Sequence, residues 1–101
     1  MKSTDVGPAE DFPEGEKRSA QIDGSMFLLV RVKGKVRAVD MYCPHQHSSL
    51  LFGTVTDGKI VCRTHRATFD LESGKALSGP SLKDLPTFET EEREGRVYVR
   101  T

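Results

Sequence analysis

Two cysteine–histidine pairs constrain this chain more than any other feature. Cys43-Pro44-His45 is followed by sixteen residues and then by Cys62-Arg63-Thr64-His65. Each pair offers one thiolate and one imidazole within a few residues, the reach of a short loop. Two matched pairs in a chain of 101 residues point to a metal site with two Cys and two His ligands. The rest of the chain then has to act as a scaffold that brings the two loops together.

Thiolates are soft ligands and imidazoles borderline ones, so the set suits zinc or an iron–sulfur cluster. A structural zinc finger usually pairs like with like, two Cys and then two His. Here each loop mixes the two. Mixing suits a two-metal cluster in which both thiolates bind one iron and both imidazoles the other. A Cys43–Cys62 disulfide is the competing use of the two cysteines. It leaves both spaced histidines unexplained, and nothing in the sequence indicates an oxidising compartment.

Strand signals fill most of the remaining chain. Residues 4–7 read as a short edge strand and 9–12 as one helical turn. Residues 18–22 and 26–32 read as strands joined by Asp23-Gly24, and residues 36–41 follow the turn 33–35. The run MFLLVRV (26–32) should be a buried strand, and VRAVDM (36–41) alternates as a strand with one wet face would. Residues 53–56 and 59–62 flank Asp57-Gly58, the sequence of a two-residue hairpin turn. Residues 68–71 form a short strand, 76–85 a loop, and 87–92 with 96–100 a last hairpin across Glu94-Gly95. The fold class is all-β with short strands, a small antiparallel barrel or sandwich.

The length corresponds to a single domain, residues 1–101, with residues 1–3 expected to fray. Fifteen Lys plus Arg balance fifteen Asp plus Glu, so no global field argues for nucleic acid or a membrane surface. No apolar run approaches the roughly 20 residues that span a bilayer. The N-terminal segment lacks the apolar core of a signal peptide, and the expected location is cytoplasmic.

The ligand pattern, together with its flanks, resembles the Rieske iron–sulfur proteins. Their C-x-H…C-x2-H signature is matched at Cys43, His45, Cys62 and His65. VRAVDMYCPH (36–45) resembles the strand entering the first loop, and IVCRTH (60–65) with FDLESG (69–74) the second loop and its exit. Leu50 and Gly53 fall where the family often has Leu and Gly, and Gly79-Pro80 is similar to the segment that covers the cluster. The resemblance implies a Rieske-like barrel with a cluster-binding subdomain of two ligand loops, about residues 42–82, holding one [2Fe-2S] cluster per chain. It implies Cys43 and Cys62 on the inner iron, and His45 and His65 on the outer one. His47 fits a surface histidine beside the site, because C-x-H matches the family and C-x3-H does not. Leu50, Leu51 and Phe52 are expected to shield the cluster, with part of that patch available to partners. The chain departs from the family at Arg66 and at the segment Gln46-His47-Ser48, where many members carry Gly.

Within the family, the respiratory and photosynthetic members link their ligand loops by a disulfide; Ser48 and Thr64 stand at those positions here. The same members place donor hydroxyls where this chain has Ala67 and Phe69. The resemblance therefore implies a soluble, monomeric carrier of the kind that serves ring-hydroxylating oxygenases. Its partners would be a flavin-dependent ferredoxin reductase and a terminal oxygenase. The chain would be an electron-transfer component and not itself an enzyme. Other readings of the residues are the small Rieske subunit of a nitrite reductase, a structural Cys2His2 zinc module and a Rieske-like fold without a cluster. With neutral histidines the oxidised cluster and its thiolates carry no net charge, and reduction makes the site negative. Fewer donors stabilise that charge less. The expected reduction potential lies near the low end of the Rieske range of roughly −150 to +300 mV; a redox titration that places it well above zero contradicts the donor argument.

Overall fold

The computed structural model describes residues 2–42, 49–63, 66–78 and 83–101. Its strands are β1 (Ser3–Pro8), β2 (Lys17–Ile22), β3 (Ser25–Val32), β4 (Lys35–Asp40), β5 (Thr54–Thr56), β6 (Lys59–Val61), β7 (Thr68–Asp70), β8 (Ala76–Ser78), β9 (Thr87–Arg93) and β10 (Arg96–Arg100). Single 3-10 turns lie at Ala9–Asp11 and Leu50–Phe52. Six strands form an antiparallel sheet in the order β1-β10-β9-β4-β3-β2, a nearly closed barrel. The short strands β5-β6-β7-β8 form a second sheet. The all-β expectation holds.

The unbroken apolar run of β3 has a direct structural cause. Alternate residues of a strand face opposite sides, and both sides of β3 are covered. Phe27 and Leu29 pack with Phe12, Ile22, Val36, Ala38, Val97 and Val99 inside the barrel. Leu28, Val30 and Val32 face the other way, with Val39 and Met41, against Leu50, Ile60, Cys62, Phe69, Leu71 and Leu85. One strand thus serves two cores. The second core is what fastens the small sheet and the ligand-bearing segments to the barrel.

Local turn chemistry sets the registers. Asp23-Gly24, Lys33-Gly34, Asp57-Gly58 and Glu94-Gly95 all have positive φ at both residues, from 48° to 84°. Their flanking residues pair directly, as in Val32↔Lys35 and Thr56↔Lys59. These are type I′ hairpin turns, whose twist matches that of the strands they join. Glu14 reinforces one of them, accepting from the Lys33 and Gly34 amides at 2.7 and 3.0 Å.

Charges contribute unevenly. Most ion pairs are exposed, and such pairs are worth little. Arg31 is different: it is only 16% exposed, pairs with Glu92 at 2.8 Å, and donates to the carbonyls of Phe12, Gly34 and Ala9. It ties the N-terminal segment and the β3–β4 turn together at one end of the barrel. On the outer edge Arg96 donates to Asp5 at 2.6 Å, and this bond holds the Asp5 carboxyl below its ordinary pKa. That contribution is present at neutral pH and fades as acid protonates Asp5 through its lowered pKa.

Ser3 begins β1, and Lys2 and Thr101 exchange backbone hydrogen bonds at 2.8 Å. One sequence expectation is corrected. The expected loop 76–85 begins with β8, which pairs with β7 through Thr68↔Ser78 and Phe69↔Ala76. Residues 79–82, with Gly79-Pro80, lie outside the described residues.

Two predictions follow from this geometry. Lys33 and Glu94 occupy left-handed positions that Asn tolerates better. Lys33→Asn and Glu94→Asn should each stabilise the fold by about 0.5–1 kcal/mol, read as a higher urea midpoint at unchanged slope. Gly53 has no such freedom, because a Cβ there would sit 2.5 Å from the Val61 carbonyl oxygen and 3.2 Å from that of Leu50. Gly53→Ala should cost roughly 1–3 kcal/mol, the range of an overpacked site, in the same denaturation experiment.

Candidate metal centre

Of the four expected ligands, Cys62 lies within the described residues. Cys43, His45 and His65 lie outside them, as do His47, Ser48 and Thr64. The described residues define the bases of both loops.

The first loop leaves β4 through Met41 and Tyr42 and returns at Ser49. Tyr42 and Ser49 form an antiparallel bridge, and the Leu50 amide donates to the Met41 carbonyl at 2.7 Å. The Ser49 hydroxyl accepts from the Leu51 amide at 3.3 Å and caps the turn Leu50–Phe52. Leu50 is fully buried in the second core and anchors the loop's outgoing arm. The Lys17 ammonium donates to the Gly53 carbonyl, fastening the end of this turn to the barrel. A charged donor on a carbonyl is worth about 1.5–3 kcal/mol. Sequence reasoning missed this tether, since a lone Lys on an edge strand carries no pattern.

The second loop leaves β6 at Cys62. The Cys62 amide donates to the Ala67 carbonyl at 2.7 Å, and the Arg66 amide donates to the Cys62 carbonyl at 2.8 Å. Both backbone groups of Cys62 are thereby satisfied, and the loop 62–67 is closed at its base. Arg66 has φ 56°, a left-handed conformation. That conformation explains why Gly suits this position, and Arg66 adopts it at a cost of about 1–2 kcal/mol.

Cys62 is a free thiol, 1% exposed, at the rim of the second core beside Ala67 and Phe69. A cavity of about 530 Å³ adjoins it, lined by Phe52, Thr54, Val61, Cys62, Arg63 and Arg66. A soft sulfur donor with its backbone fixed, at the mouth of a cavity and backed by hydrocarbon, fits a metal–sulfur group. The hydroxyl of Thr68 donates to the Arg66 carbonyl, 3.4 Å away. The expected shield divides: Leu50 is buried, Leu51 packs partly against the core, and Phe52 is 64% exposed.

Comparison with known proteins agrees with this geometry. The Rieske [2Fe-2S] domain profile matches residues 2–89. The chain is 34% identical to the ferredoxin component of an alkene monooxygenase system from Xanthobacter autotrophicus, over its whole length and 83% of that protein. It is 30% identical to the ferredoxin component of naphthalene 1,2-dioxygenase/salicylate 5-hydroxylase systems from a Ralstonia species, over 95% of this chain and 92% of that one. Among solved structures, it superposes with TM-score 0.91 and 32% identity on a chain in a complex of reduced oxygenase and oxidized ferredoxin in carbazole 1,9a-dioxygenase, covering 96% of this chain and 91% of that one. Fold, loop bases and comparisons converge, and the chain belongs to the Rieske [2Fe-2S] domain family.

Proposed function

We propose that this protein is a one-electron carrier that holds one [2Fe-2S] cluster on Cys43, His45, Cys62 and His65. It takes electrons from a flavin-dependent reductase and passes them to a terminal oxygenase. The observation that carries this reading is the near-full-length likeness to ferredoxin components of oxygenase systems. Among the described residues no helix is long and apolar enough to cross a membrane. The same reading makes the protein a cytoplasmic monomer.

The bound cluster would supply a single-electron couple at the end of the second core. The chain's own residues set its surroundings. The Cys62 thiolate would hold the cluster from the buried side, where Leu50, Ala67 and Phe69 are packed away from water. Ala67 and Phe69 bring no side-chain donor, so charge added on reduction receives no hydroxyl bond from them. The histidine pair would complete the ligand set and offer the route by which an electron reaches a partner.

Absorption and EPR spectra of the purified protein, before and after dithionite, test the reading. The expected result is a red-brown protein whose reduced form gives the rhombic signal of a nitrogen-ligated [2Fe–2S] cluster. Cys62→Ala and His65→Ala should lose iron and colour while far-UV dichroism keeps its β signature. A colourless wild-type protein with one zinc per chain would overturn the proposal.

A further inference from the structure

Six of the eight arginines pair with a carboxylate. Arg18 pairs with Glu16, Arg31 with Glu92, Arg37 with Glu72, Arg93 with Glu91, Arg96 with Asp5 and Arg100 with Glu89. The two arginines left, Arg63 and Arg66, form no ion pair among the described residues, and both are exposed. Both lie on the segment closed by the Cys62–Ala67 hydrogen bond. Together with Phe52 they line the cavity beside the Cys62 thiol. Phe52 is 64% exposed, the most exposed of the large apolar side chains described.

Several carboxylates gather at the far end. Asp57 and Glu14 line one recess with Lys33 and Gly58, at the far end of the β5–β6 hairpin from Cys62. Glu92 joins that end through Arg31, whose guanidinium also binds the Gly34 carbonyl. Glu91 and Glu94 lie at or beside the β9–β10 turn, and β9 runs away from the loop bases after Thr87 pairs with Val39. Arg63 and Arg66 are therefore two cations without a paired carboxylate beside Cys62, while the carboxylates at the loop bases, such as Asp40, are engaged with backbone amides. An exposed aromatic flanked by unpaired arginines has the composition of an interface centre.

We infer that Phe52, Arg63 and Arg66 form the docking face for the terminal oxygenase, which meets it with carboxylates surrounding an apolar recess. The inference rests on the electron-carrier reading and assigns that reading's partner a chemistry. Phe52 supplies the desolvated contact. The two guanidiniums steer the encounter and fix its orientation, an effect expressed mainly in the association rate and its salt dependence.

The test is stopped-flow oxidation of the reduced holoprotein by its cognate terminal oxygenase across a range of ionic strength. Wild-type second-order rates should fall as salt rises. The double variant Arg63→Gln/Arg66→Gln should be about tenfold slower at low salt and nearly salt-independent. Phe52→Ser should stay slower at high salt, where steering is screened. Arg93→Gln, at the distal end, should match wild type. The EPR spectrum should be unchanged in every variant, and the lower potential expected when cations beside the site are removed would speed electron donation, so a slower rate marks a docking defect and not damage at the cluster. Rates insensitive to the loop variants, rates that rise with salt, or equal losses in Arg93→Gln would overturn the assignment while leaving the carrier role intact. So would a loss seen with the reductase and not with the oxygenase. A wild-type holoprotein that loads its cluster and passes no electron to the oxygenase would instead defeat the carrier reading itself.

Discussion

The second core, on the outward face of β3 and β4, is the constraint on which the site depends. Leu28, Val30 and Val39 are fully buried there against Leu50, Ile60, Phe69 and Leu85. The small sheet has strands of only three residues, too short to stand alone in water. It persists because the barrel supplies the other half of its core. Removing the side chain of a residue such as Phe69 would therefore loosen both loop bases at once, at a cost of about 3–5 kcal/mol.

On that foundation, backbone hydrogen bonds do the local positioning. The bridge at Tyr42 and Ser49 closes one loop, and the bonds from Cys62 to Ala67 and Arg66 close the other. A redox site benefits from such fixed bases, because ligands that hold their places lower the rearrangement accompanying each electron. The uncompensated arginines stand on the segment closed by the Cys62–Ala67 bond, so the groups that would orient a partner share a frame with Cys62.

Much of this was legible in the sequence because the signals were local. Asp23-Gly24, Asp57-Gly58 and Glu94-Gly95 marked turns in the sequence, whose type I′ geometry the dihedral angles then supplied, and the ligand spacing marked the family. The features that escaped depend on distant residues. β8 carries no alternation of its own and exists because β7 offers it an edge. Ser3 belongs to β1 because β10 lies beside it, with Arg100 opposite. The Lys17 tether and the exposure of Phe52 follow from where the Leu50–Phe52 turn meets β2, a contact that no window of sequence contains. Arg66 was visible as a departure from the family's Gly, yet its meaning required the dihedral angle.

The ligand-bearing unit leaves the barrel after Asp40 and rejoins it at Thr87. These exits are neighbours: Val39 pairs with Thr87, and the Asp40 amide bonds the Pro86 carbonyl at 3.1 Å. The unit is thus an insertion in a barrel whose own strands pair without it. Its opening need not unravel β1, β2, β9 or β10, so the topology would let the molecule open in two steps, the smaller sheet first. Metal ligation would tighten the smaller sheet selectively. In the apo protein the amides of Ile60 and Phe69 would then exchange with solvent well before those of Leu29 and Val97, and loading the cluster would narrow that gap. A barrel built this way can complete its own folding first and receive its inorganic cargo afterwards.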